Sequence, residues 1–344
     1  MDGRSFGLNL AGESRSLRAM KPRDSSGATP SSATVTSRRK FLKETAGLAA
    51  GAVVLSEAST KAALADPLLP TIKLGKHEVT RLIIGGNPIY GYSHFNRLLS
   101  QYQTTWHTPE RVVDLIKHAE AKGINTWQNS YAERTLSDLE RYREEGGRMN
   151  WLCLGKPDWD KNPEKLDDAA KHKPIGIAPH GALGERLFRE KKLDVLTDLL
   201  KRTRDHGILV GLSAHNPALI ELSEEKGWDV DYYMCCLYYL TRPRDELEKL
   251  FGGHVPLGEV YLPSDPPRMF KVIQSTRKTC LAYKVLAAGR RVESASQVRQ
   301  CFETAFNNIK PTDAVIVGMY QQLSDQVGEN AAIVRRICAG KTKA

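Results

Sequence analysis

Residues 81–91 read Arg81-Leu82-Ile83-Ile84-Gly85-Gly86-Asn87-Pro88-Ile89-Tyr90-Gly91. A short apolar run ends on glycine and breaks into a loop, which is how a buried strand empties into a connection. The same event recurs down the chain. Apolar runs predict further strands over residues 124–129, 150–155, 174–180, 208–214, 231–237, 279–286 and 314–319. With residues 81–85 they make eight, the number a closed (β/α)8 barrel needs. A short hairpin over residues 71–80, turning at Gly75-Lys76, is predicted ahead of them.

Amphipathic stretches separate these runs. Thr108-Pro109-Glu110 offers an N-cap, a proline at the first helical position and an acid in the first turn. Val112, Val113, Ile116 and Ala119 then share one face, and Gly123 closes the helix. Residues 187–206 and 295–309 read as helices in the same way. Alternation of this kind is the signature of repeated βα units and an α/β fold. A doubly wound open sheet is the competing architecture, but no G-x-G-x-x-G follows a strand and opens a helix. The reading is a TIM barrel with an N-terminal hairpin, occupying residues 68–344.

Ahead of the barrel the composition changes. Residues 1–36 are rich in Ser, Thr, Gly and Arg and are expected to be disordered. Ser37-Arg38-Arg39-Lys40-Phe41-Leu42-Lys43 then precedes an apolar run from Ala46 to Leu55, and Ala63-Leu64-Ala65 has the small-x-small form of a cleavage site. Paired arginines before a moderately apolar segment predict a twin-arginine signal, with the export machinery as partner and a periplasmic or extracellular destination. The run is too short to span a bilayer comfortably. The n-region is long, and Met20 is an alternative start to Met1.

The leader also carries much of the charge. Ten of the 50 Lys/Arg and five of the 40 Asp/Glu lie in residues 1–65, so half of the formal +10 belongs there. The rest is mildly basic and interleaved, without the Lys/Arg run and aromatics that a nucleic-acid surface needs. The partner expected of the barrel is a small molecule. None of the six cysteines forms a C-x-x-C pair or a zinc-finger spacing, and most sit inside apolar runs, where a buried thiol is the expected role.

Several segments, in order, resemble the aldo-keto reductases. They are residues 81–91, the helix ending Ala121-Lys122-Gly123-Ile124-Asn125-Thr126-Trp127, Gly211-Leu212-Ser213-Ala214-His215 and Asp231-Tyr232-Tyr233. Residues 281–289 (LAYKVLAAG), Ile316-Val317-Gly318-Met319 and Gly328-Glu329-Asn330 complete the set. The resemblance implies NADP(H)-dependent reduction of a carbonyl or sugar-like substrate. Hydride goes to the carbonyl carbon, a tyrosine gives the proton, a lysine paired with an aspartate tunes the tyrosine, and a histidine orients the carbonyl. Lys156, after the third strand, matches the lysine, and His180, after the fourth, matches the histidine. The second strand departs from the pattern: Gln128 stands at the aspartate position, Glu133 at the tyrosine position, and Tyr131 two residues early.

Three outcomes stay open. Tyr131 takes the acid's place, Glu133 serves as acid or counter-ion, or the barrel runs other chemistry, such as a lyase, an isomerase or a metal held by His180, Glu133 and His215. A non-catalytic binding protein is a further alternative. On the cofactor side, Tyr283 matches the tyrosine that stacks on nicotinamide, Ser213 a carboxamide contact, and Glu329 and Asn330 the adenine end. The carboxamide asparagine is Ala214 here, the sixth-strand glutamine is Met234, and residues 320–324 lack the family's basic phosphate contacts.

Overall fold

The computed structural model describes residues 65–341. Arg38, Arg39 and the rest of the leader up to residue 64 lie outside the described residues. The chain enters through an antiparallel hairpin, β1 (Thr71–Leu74) and β2 (His77–Thr80). Eight parallel strands follow: β3 (Leu82–Gly85), β4 (Thr126–Ser130), β5 (Asn150–Leu154), β6 (Gly176–Ala178), β7 (Leu209–Ala214), β8 (Tyr232–Cys236), β9 (Thr279–Tyr283) and β10 (Ala314–Gly318). Each pairs with the next, and β10 pairs back onto β3, so the barrel closes. All eight strand expectations and the hairpin hold, with ends shifted by a few residues.

Two apolar layers hold the barrel. The inner one gathers Ile83, Leu152, Ala178, Tyr232, Leu281 and Ala314 with Ile72, Leu74 and Val79 of the hairpin, which thereby plugs the N-terminal end. Tyr232 is the largest of the strand residues in that layer, and it explains two glycines. A Cβ at Gly211 would sit 2.4 Å from the Tyr232 ring, and one at Gly176 would sit 2.8 Å from its hydroxyl. The outer layer seals helices to strands, and each buried side chain there contributes about 1.5–3 kcal/mol of transfer energy.

The helices that matter for the site are α1 (Arg97–Trp106), α2 (Pro109–Ala121), α3 (Glu133–Glu144), α4 (Glu164–Lys171), α5 (Gly181–Arg189) and α6 (Leu193–Asp205). After them come α7 (Pro217–Glu225), α8 (Arg244–Leu250), α9 (Asp265–Ser275), α10 (Ala295–Asn308) and α11 (Gln326–Lys341). Thr108 caps α2 as its sequence predicts. The single helix expected over residues 187–206 is two, because Lys191 takes a left-handed φ of 58° between α5 and α6. The apolar period runs on across that turn, so periodicity alone hides the break. All six cysteines are buried, and no disulfide joins them among the described residues. Among the described residues no helix is long and apolar enough to cross a membrane.

Candidate active site

A cavity of about 1150 Å3 opens at the C-terminal ends of the strands, bordered by Tyr92, Gln128, Tyr283, Lys284, Glu329 and Asn330. Lys156 stands two residues past β5 and is half-buried. Its Nζ donates to the Tyr92 hydroxyl at 2.7 Å and lies 5.1 Å from the centre of that ring. Tyr92 belongs to the loop after β3, where its N–H donates to the Asn87 carbonyl at 2.9 Å. It is 42% exposed and faces the cavity. Lys156 pairs with no carboxylate among the described residues. Its partner is a phenol, delivered by the first barrel strand's loop rather than the second's.

His180 follows β6, the strand hydrogen-bonded to β5, and so stands beside Lys156 at the mouth. Its Nδ1 accepts the Ala182 N–H at 3.2 Å and caps α5. That bond fixes the tautomer: a neutral ring keeps its proton on Nε2. Burial, with the charges of His215 and Lys156 opposed by Glu185, pulls the His180 pKa down to about 3. The ring is therefore neutral at any working pH and donates from Nε2.

Behind it stands His215, at the end of β7, with ring centres 6.4 Å apart. Gly181 follows His180 because a Cβ there would meet His215 Nδ1 at 2.9 Å. His215 Nδ1 lies 3.3 Å from Glu185 Oε2. The buried Glu185 carboxylate also accepts from the backbone N–H of His215, from that of Asn216 at 2.6 Å, and from the Thr241 hydroxyl. Burial alone would raise its pKa, but these donors outweigh it and hold the carboxyl below its ordinary value.

The other predicted residues are not brought together. Side chains alternate along β4, so Gln128 faces inward and Trp127 and Asn129 outward. Tyr131 continues the outward parity. Its ring meets Trp159 edge-on at 5.9 Å, and its hydroxyl donates to Asp168 on α4 at 2.8 Å. Burial and then that carboxylate push its pKa up to about 12. It is held away from Lys156. Glu133 opens α3, is exposed and forms no ion pair with Lys156. Among the described residues no three His, Cys, Asp or Glu side chains are grouped to hold a metal, so His180, Glu133 and His215 make no such set.

On the cofactor side, Tyr283 borders the cavity and is braced from two sides. Its hydroxyl lies 3.3 Å from Ser213 Oγ, and its ring meets His215 edge-on at 6.0 Å. Ser213 is buried and acts on Tyr283. Glu329 and Asn330, in the first turns of α11, border the same cavity. Two guanidinium groups, from Arg299 of α10 and Arg336 of α11, line the same cavity. Two Ser residues at the start of α10, Ser294 and Ser296, stand with them.

No family model and no curated protein matches the chain. Solved structures do. The apo form of Gox0644 is 10% identical with a TM-score of 0.48, over 78% of this chain and 93% of that one. A glycerol dehydrogenase from Gluconobacter oxydans is 13% identical with a TM-score of 0.44, over 78% and 95%. A protein described as a 2,5-diketo-D-gluconic acid reductase B is 10% identical with a TM-score of 0.49, over 80% and 91%. The barrel stands on its own strand pairing, and the chemistry on the side chains at its mouth.

Proposed function

We propose that the chain is an exported oxidoreductase of aldo-keto reductase type, acting with NADP(H) on the carbonyl of a small, sugar-like molecule. The observation that carries this reading is the 2.7 Å contact between Lys156 Nζ and the Tyr92 hydroxyl at the cavity's edge, one strand from His180. The donor set fits a dinucleotide: an aromatic wall at Tyr283, polar groups at Glu329 and Asn330, and the guanidinium groups of Arg299 and Arg336, all lining one cavity. A reduced nicotinamide bound against Tyr283 would supply the hydride.

The chain's own residues do the rest. A carbonyl oxygen between Tyr92 and His180 accepts one hydrogen bond from the phenol and one from Nε2–H. As negative charge builds on that oxygen, the Tyr92 proton crosses to it, and the Lys156 ammonium stabilises the phenolate left behind. The neutral His180 polarises the carbonyl without giving up its proton. The twin-arginine leader supports export of the folded chain, so a nucleotide taken up in the cytoplasm travels with it.

The test compares Tyr92→Phe with Tyr131→Phe in NADPH-dependent reduction of a small aldehyde panel. Loss of the proton donor should cost about 10²–10⁴-fold in kcat for Tyr92→Phe, with Tyr131→Phe within about threefold of the parent. A Tyr92→Phe enzyme that keeps its rate, or a parent with neither turnover nor nucleotide binding, refutes the reading.

A further inference from the structure

The residue after β9 is unusual on three counts. Lys284 has a left-handed φ of 61°, a conformation that costs a non-glycine residue about 1–3 kcal/mol and persists where surroundings enforce it. It borders the cavity. Its Nζ is enclosed by protein yet has no hydrogen-bond partner, and it joins no ion pair among the described residues. The charged groups around it are engaged with one another. Glu259 is held by His94 Nδ1 at 2.6 Å and by the Tyr261 hydroxyl at 2.9 Å, and Arg290 donates to the His94 carbonyl at 2.9 Å. The Cys236 thiol nearby is buried.

Burial of an unpaired ammonium is expensive, and the cheapest relief is to lose the proton. Burial accordingly pulls the Lys284 pKa down, opposed by Cys236 and Glu259 and helped by Arg290. A desolvated amine beside a cavity that takes carbonyl compounds is the arrangement in which lysine acts as a nucleophile.

We propose that Lys284 captures aldehyde or ketone ligands of this cavity as a reversible imine. The neutral amine's lone pair forms the C–N bond to the carbonyl carbon, and the carbonyl π pair moves to oxygen, which takes a proton to give a carbinolamine. A proton from solvent then turns that hydroxyl into a leaving water, the nitrogen lone pair forms the C=N bond as the C–O bond breaks, and the iminium N–H returns one proton to solvent. Water reverses the sequence. No nucleotide takes part, so capture is independent of hydride transfer and stands or falls separately from it.

The test incubates the full-length mature protein, without nucleotide, with glyceraldehyde and cyanoborohydride at neutral pH, and maps adducts by peptide mass after non-tryptic digestion. Lys201 and Lys249, with side chains 72% and 82% exposed, serve as internal references. Lys284 should be labelled faster than either, because a lowered amine pKa enlarges the neutral fraction at that pH. Unfolding in urea should remove the preference, and Lys284→Arg should abolish the adduct at that peptide. Labelling of Lys284 no faster than Lys201 or Lys249 in the folded parent overturns the proposal, whether or not the variants fold. If NADPH binds and is turned over in that same preparation, the oxidoreductase reading survives the loss.

Discussion

Replacing His180 with asparagine separates its two jobs, because asparagine is among the best N-caps and can accept the Ala182 N–H in place of Nδ1. What the variant loses is the titration. In the parent the folded ring has a pKa of about 3 against an ordinary 6.5. The folded state therefore binds fewer protons than the unfolded chain between those values, and stability falls as pH drops through that window. Above pH 6.5 the ring is neutral in both states and contributes nothing. At pH 4.5 the full linkage would be about 3 kcal/mol, and the ring's partial exposure at the mouth reduces this to about 1–2 kcal/mol. The experiment is urea unfolding of parent and His180→Asn at pH 7.5 and pH 4.5. The stability difference between them should move by that amount in favour of the variant on acidification, while changes from other groups cancel. A difference that stays flat with pH would mean the imidazole titrates normally, and the claim that a neutral Nε2–H faces the substrate would go with it.

Glu185→Ala should destabilise the fold by about 3–5 kcal/mol, since it leaves the His215 and Asn216 N–H groups and the Thr241 hydroxyl without their acceptor. Because the folded carboxyl titrates below its ordinary 4.5, that contribution is complete above pH 4.5 and is lost as pH falls through the depressed value. A chemical-denaturation difference under about 1 kcal/mol at pH 7 would show the cluster to be slack. At the other end of the chain, Arg38→Lys together with Arg39→Lys should leave the precursor in the cytoplasm, as the guanidinium pair is what a twin-arginine signal presents. Cell fractionation that finds the double variant exported normally removes the compartment from the proposal.

The barrel was legible because each strand announces itself locally: an apolar run, a glycine or polar stop, and a capped helix after it. Thr108-Pro109 and the runs at residues 150–155 and 314–319 need no long-range information. The histidine and lysine were legible for a related reason, since both stand within two residues of a strand end and the barrel fixes where a strand ends. For Tyr131 as a proton donor, the sequence also held a counter-signal. Trp127, Asn129 and Tyr131 share one parity, and a strand whose Trp127 packs into the outer layer sends Tyr131 the same way. Resemblance to a motif two residues longer pulled the other way. Tyr92 and Lys284 had no such signal. The first reaches Lys156 across 64 residues through an irregular loop, and the second is marked by a backbone angle and an enclosed amine that no local pattern announces.

What holds the second strand's loop explains why Tyr131 stays away from Lys156. Trp159 is fully buried, and Gly155 is glycine because a Cβ would strike its ring at 2.6 Å. Tyr131 packs on that indole and bonds Asp168, so bringing it inward would cost the stacking, the hydrogen bond and a reversal of strand parity together. The loop after β3 is under no such constraint. Tyr90 turns outward to Asp138 at 3.2 Å, Ile89 is buried beneath it, and Tyr92, two residues on, is free to face the cavity. Carbonyl chemistry at a barrel mouth requires a proton donor next to the ammonium. It does not require that donor to come from a particular strand, and among the described residues the loop that places a phenol against Lys156 is the first.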